Sequence, residues 1–215
     1  MIKLQQVKPA DIEKRSFEII GEELAAQGIT LDPVNELVIK RAIHTSADFE
    51  YAKALVFSEN VVQDTVALFK DPNQKVTIVT DTNMARAGIN KAICAKLGVE
   101  VKCFMADPDV AITAKKNGTT RAVASMEKAA QIEGNVIFAI GNAPTALVKL
   151  DELIKDQKVK PRLIIGMPVG FVNVVESKNL ILNSNVPYIV GKGRKGGSNV
   201  AAAICNALLY MTGER

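Results

Sequence analysis

"NVIFAIGNAPTAL", residues 135–147, reads as one strand, one turn and the start of one helix. Its first six residues are apolar almost throughout, with the β-branched Val136, Ile137 and Ile140 among them. A run without polar alternation predicts a strand covered on both faces, as in a parallel sheet. Gly141 and Asn142 supply the turn, and Pro144 suits a first helical turn, where its missing N–H costs nothing.

The same unit recurs outward from this stretch. "VTIVT" (76–80), "VEVKCF" (99–104), "RLIIG" (162–166) and "PYIVG" (187–191) are short apolar runs, each followed by a turn signal and a helical stretch. Helices are expected near 10–27, 33–45, 59–70, 83–97, 108–117, 120–132, 144–156, 173–183 and 197–211. Asp32-Pro33 and Asp107-Pro108 read as N-caps followed by proline at the first helical position. Thr119 or Thr120 reads as a further cap. The connectors at 70–75 and 155–161 are too short for domain linkers, so residues 1–215 are expected to form one domain. Right-handed crossovers then give an α/β protein, a three-layer α/β/α sandwich on a mainly parallel sheet of about five strands.

Bulk properties exclude several classes. No run of 18 apolar residues is present, which excludes a membrane-spanning helix. The amino terminus carries no apolar signal core, so a cytoplasmic chain is expected. Cys94, Cys103 and Cys205 form no CxxC pair, and a single histidine cannot complete a zinc set, so no metal site is expected and the thiols are expected to be buried. The net charge of +4 is mild, and with no tryptophan and three tyrosines the chain offers no stacking platform for nucleic acid.

In a doubly wound sheet, ligands bind outside the carboxyl ends of the strands. That directs attention to "TDTNMARAG" (80–88), "GNAPTA" (141–146), "GMPVGFVNVVESK" (166–178) and "GKGRKGGSN" (191–199). The last satisfies G-x-G-x-x-G at Gly191, Gly193 and Gly196, but it belongs to the final strand–helix unit, with no strand after it to carry a ribose-binding acid. It also fails as a P-loop, because Gly197 stands where the lysine is needed. A nucleotide- or phosphate-binding enzyme built on Gly191–Ser198 is therefore the alternative, not the main expectation. The loop still suits an anion. Gly196 and Gly197 bring backbone N–H groups close, Ser198 is a candidate helix cap, and Arg194 and Lys195 add charge. A tight turn with exposed basic residues is the plainer possibility. Arg121, in the first turn of a helix, opposes the helix dipole, which makes sense if it binds an anion and is otherwise a surface arginine. Asn142 stands at the carboxyl edge. Glu176 and Lys178 read as solvated helix charges. His44, in "RAIHTSADFE" (41–50), is the only histidine and is either a catalyst or an ordinary core or surface residue.

Taken together, "IEKRSFEII" (12–20), "IHTSADFE" (43–50), "LVFS" (55–58), "TDTNMARAGI" (80–89), "NGTTRA" (117–122), "GNAPTAL" (141–147), "GMPVGFVNVVESK" (166–178) and "GRKGGSN" (193–199) resemble the precorrin-8X methylmutase family, in family order and over nearly the whole chain. The resemblance implies a flavodoxin-like fold and a homodimer with active sites near the subunit interface. It implies an isomerase of vitamin B12 biosynthesis that moves a methyl group from C11 to C12 of a tetrapyrrole. It places the essential histidine on His44 and implies no cofactor, with cobalt arriving only as part of the substrate. An imidazole ordinarily titrates at about 6.5, which suits protonation of the macrocycle. Arg15, Ser16, Arg121, Asn142, Arg194, Gly196, Gly197 and Ser198 are the expected contacts to the acidic arms. Phe17, Met84, Met167 and Phe171 are candidate apolar walls. A corrinoid-binding carrier without catalysis is the remaining rival.

Overall fold

The computed structural model describes residues 6–214. Its strands are Leu55–Phe57 (β1), Val76–Thr80 (β2), Val99–Lys102 (β3), Asn135–Ile140 (β4), Leu163–Gly166 (β5) and Tyr188–Gly191 (β6). They lie in the order β1-β6-β5-β4-β2-β3, parallel except for β1. The parallel part, β3-β2-β4-β5-β6, has the strand order of flavodoxin-like sheets. Six strands replace the expected five. The extra one pairs Leu55 with Gly191 and Phe57 with Ile189 in antiparallel register. Three residues are too short to show a period, so this edge strand is set by its partner.

Strand alternation divides the core into two. Ile78, Ile137, Ala139, Leu163, Ile165 and Ile189 point to one face of the sheet, while Val79, Val136, Phe138, Ile140, Ile164 and Val190 point to the other. The first face is covered by helices Ile12–Ala26 (α1), Glu36–Ser46 (α2), Val61–Lys70 (α4), Lys91–Lys96 (α6) and Ser198–Tyr210 (α11). The second is covered by Arg121–Ala129 (α8), Pro144–Lys155 (α9) and Val174–Leu182 (α10), with Pro108–Asn117 (α7) packed on α8. A helix that is apolar all round must be buried. In α11, Val200–Cys205 and Ala207–Leu209 are all buried, and the run Ala201–Ala203 is small enough to admit α2 closely. All three cysteines are buried free thiols.

Two expected helix boundaries change. Asp32-Pro33 does not start α2. The Asp32 carboxylate instead accepts from the Val34 N–H and the Asn35 side chain, forming a turn, and the helix begins at Glu36. The stretch at 83–97 breaks into Asn83–Gly88 (α5) and α6. Asn90 forces the break: its side chain caps α6 at Ala92 and Ile93, and its own N–H donates to Asn206 on α11. Asn206 returns a hydrogen bond to the Gly88 carbonyl. The tertiary partner thus satisfies groups that a continuous helix would have satisfied internally. A short helix, Tyr51–Ala54 (α3), leads into β1.

Candidate active site

The topological switch point lies between β2 and β4, where flavodoxin-like folds ordinarily open a ligand crevice. Here it is filled by the protein itself. The fully buried Asp81 carboxylate follows β2 and accepts three backbone N–H groups from the next strand's turn: Gly141 at 2.8 Å, Asn142 at 2.8 Å and Ala143 at 2.6 Å. Burial pushes this carboxyl above the usual carboxylate range, and the three amides pull against that shift. Thr82 caps α5 through the Ala85 N–H and shares a 2.8 Å hydrogen bond with the Ser198 hydroxyl. Gly141 lies so close to α11 that a Cβ there would sit 2.6 Å from the Ser198 Cα. The anion-binding amides ahead of α9 are therefore spent on Asp81, and no nucleotide cradle opens at the seam.

The glycine loop is likewise engaged inward. Gly197, at φ 139°, is the N-cap of α11, so the expected cap role of Ser198 is corrected: Ser198 is the first helical residue and its hydroxyl serves Thr82. The Gly197 N–H donates to the Met167 carbonyl at 2.8 Å. A Cβ on Gly196 would lie 2.1 Å from that same carbonyl oxygen. These two glycines allow the loop after β6 to lie against the loop after β5. Lys178, expected as a solvated helix charge, is fully buried and donates to the carbonyls of Gly193 at 2.9 Å and Lys195 at 2.7 Å. Burial pushes its ammonium down to about 8. Glu176 is exposed, as expected of a solvated charge.

His44 stands exposed in the last turn of α2. Its ring meets the edge of Phe17 with centroids 5.6 Å apart and planes at 76°. It opens on a cleft of about 320 Å³ between α2, α5 and α11, shared with Arg41, Met84, Asn199 and Asn206. Arg41, one turn before His44, is buried between the rings of Phe17 and Tyr210, each 4.8 Å from the guanidinium, and grips Glu13 with two hydrogen bonds. The two helices run antiparallel: Arg41 meets Tyr210 at the end of α11, while Asp48, just past α2, pairs with Lys195 just before α11. Glu50 also binds Lys195, so the end of α2 and the basic loop are tied together.

The expected substrate contacts separate into groups. Arg194 is exposed and lies over the Phe171 ring at 5.5 Å. Arg121 opens α8 with no hydrogen-bond or ion-pair partner among the described residues, and Thr120, not Thr119, caps that helix. Thr120 also shares a hydrogen bond with Thr145, which brings the start of α8 to the start of α9, beside Asn142. Asn142 is exposed, with its N–H held by Asp81. Arg15 pairs with Glu18 and Glu22 on its own helix, the Ser16 hydroxyl returns to the Ile12 carbonyl, and neither residue is among those lining the cleft beside His44. Of the apolar walls, Met167 is fully buried in the core, whereas Met84 and Phe171 are exposed by 71% and 82%. Sequence reasoning missed Asp81 and Arg41. Asp81 lies in the loop that the strand order makes important, and Arg41 shares a helix face with His44 three residues on; both signals were available.

These features define an α/β protein with a closed switch point, a basic loop and a lone exposed imidazole beside a cleft. The precorrin-8X methylmutase family model matches residues 11–211. A cobalt-precorrin-8 methylmutase of Priestia megaterium is 43% identical over 205 residues, covering 95% of this chain and 89% of that protein. A precorrin-8X methylmutase of a Sinorhizobium species is 35% identical over 92% of each chain. Among solved structures, the precorrin-8X methyl mutase of Thermus thermophilus superposes with a TM-score of 0.82 at 35% identity, covering 94% of this chain and 98% of that one. The chain belongs to the precorrin-8X methylmutase family, isomerases of cobalamin biosynthesis.

Proposed function

We propose that this protein moves a methyl group from C11 to C12 of precorrin-8X or its cobalt-containing counterpart, giving hydrogenobyrinic acid or cobyrinic acid. The observation that carries this mechanism is His44: the chain's one imidazole is exposed at a cleft that the exposed Met84 also lines. The imidazolium donates a proton to a ring nitrogen and draws electron density from the macrocycle. The bond from C11 to the methyl carbon breaks as the bond to C12 forms, and the proton returns to His44. The methyl never leaves the molecule, so neither a methyl donor nor a redox partner enters the balance. Cobalt, when present, belongs to the substrate.

The acidic side arms are taken up by Arg194 and Arg121 with Asn142, all exposed at the carboxyl edge. Phe171, Val172 and Val169 are exposed by 82%, 79% and 47%. Apolar surface of this kind beside a site supports a homodimer with its active sites near the interface. No helix among the described residues is long and apolar enough to cross a membrane, which is compatible with a cytoplasmic protein.

His44→Ala tests the assignment by single-turnover conversion of precorrin-8X. A fall of roughly 10²- to 10⁴-fold, with product binding retained, is expected for loss of a general acid. Unchanged conversion overturns the role of His44. Tight product binding without turnover by the wild-type protein supports a carrier instead.

A further inference from the structure

Lys178 is a fully buried ammonium whose hydrogen-bond partners among the described residues are two main-chain carbonyls, with no carboxylate. A buried charge without an opposite charge is costly, and this one lies under the basic loop after β6. Gly193 and Lys195 turn their carbonyls onto its Nζ, at 2.9 and 2.7 Å. The residue between them, Arg194, turns its carbonyl to the Gly170 N–H at 3.2 Å. Three successive carbonyls are therefore hydrogen-bonded within the protein, two to Lys178 and one to the loop after β5. The negative ends of these peptide dipoles are engaged by protein donors, and the exposed side chains of the loop are Lys192, Arg194, whose guanidinium lies over Phe171, and Lys195, which pairs with Asp48 and Glu50. A helix-borne cation thus ties two carbonyls of the loop to α10, beside the packing of Gly196 and Gly197 on Met167 and the pairing of Lys195 with Asp48 and Glu50.

We propose that Lys178 is a positioning residue for substrate carboxylates: it holds the Gly193–Lys195 carbonyls inward so that Arg194 is presented to an acidic arm of the tetrapyrrole. The inference rests on the proposed methylmutase function. Lys178 acts through the loop and touches no substrate, so its loss should appear in binding and not in the chemical step.

The test compares wild type, Lys178→Met, Arg194→Ala and the double variant, in precorrin-8X turnover and in fluorescence titration with hydrogenobyrinic acid, with thermal unfolding as the check on folding. Folded Lys178→Met should raise KM and the product Kd roughly tenfold, as for loss of a charge-assisted contact, while kcat stays within about twofold. Because both residues serve one contact, the double variant should bind no more than about twofold worse than the weaker single variant. A merely structural lysine predicts independent, multiplying effects, and that result overturns the proposal. So does a folded Lys178→Met with wild-type KM. If Lys178→Met does not fold, Lys178→Gln, which keeps an N–H donor, is judged by the same criteria. Failure of both to fold assigns the lysine to stability and overturns its role in binding. Wild-type protein that neither binds nor converts the corrinoid overturns the proposed function itself, and this inference with it.

Discussion

Asp81 binds Gly141 across the seam of the sheet, its carboxylate Oδ1 accepting the Gly141 N–H at 2.8 Å while Oδ2 takes the next two amides. A side-chain anion thereby occupies the place where many folds of this topology receive a ligand's. The consequence for stability is direct. Asp81→Ala leaves three amide donors without their charged acceptor and should cost about 3–5 kcal/mol. Asp81→Asn keeps one acceptor and turns an NH₂ toward donors, so it should cost less, about 1–3 kcal/mol. Urea unfolding checks both, and a wild-type midpoint in either variant refutes the assignment.

Gly196 is required by space. A Cβ there falls 2.1 Å from the Met167 carbonyl oxygen and 2.7 Å from its carbon, and backbone cannot yield as a flexible side chain would. Gly196→Ala should destabilise the protein by about 2–4 kcal/mol and displace the basic loop from the loop after β5. Chemical unfolding gives the energy. Faster amide exchange over residues 193–198 would report the displacement.

Lys178 gives stability an unusual pH dependence. Its ammonium titrates at about 8 in the folded protein, below the ordinary lysine value. Between the two values the unfolded chain binds more protons than the folded one, so stability rises with pH across that window. Above it, the neutral amine still donates to both carbonyls without the cost of a buried charge. Relative to Lys178→Met, wild type should gain about 2 kcal/mol between about pH 7.5 and about pH 9.5. A difference that stays flat, or shrinks, would show that burial does not penalise the charge.

Arg194 lies exposed over Phe171 and can be reversed in sign without touching the core. Arg194→Glu should weaken hydrogenobyrinic acid binding by roughly tenfold or more, and most at low salt, where repulsion between surface charges is least screened. Fluorescence titration at two ionic strengths measures it. Unchanged affinity would remove Arg194 from the binding rim.

Much of the architecture was legible because local chemistry and tertiary demand agree. "NVIFAIGNAPTAL" carries a strand apolar on both faces, a turn and a proline at the first helical position, and β4 and α9 form there within a residue. Disagreement came where a distant residue supplied the missing bond. Asn206 ends α5 by taking the Asn90 N–H, and β6 makes a strand of Leu55–Phe57. Lys178 looks like any helix lysine in sequence, because nothing nearby announces that Gly193 and Lys195 will close over it.

Hydrophobic period, turn chemistry and residue counts are local properties, and they suffice for the layered α/β class, the loops at the carboxyl edge and the singular status of His44. The closure of the switch point by Asp81, the place of Lys178 beneath the basic loop, and the hold of Phe17 and Tyr210 on Arg41 one turn from His44 emerge from the packed fold alone. Burial and hydrogen-bond partnership depend on which segments meet in space, and those segments are separated by tens of residues along the chain.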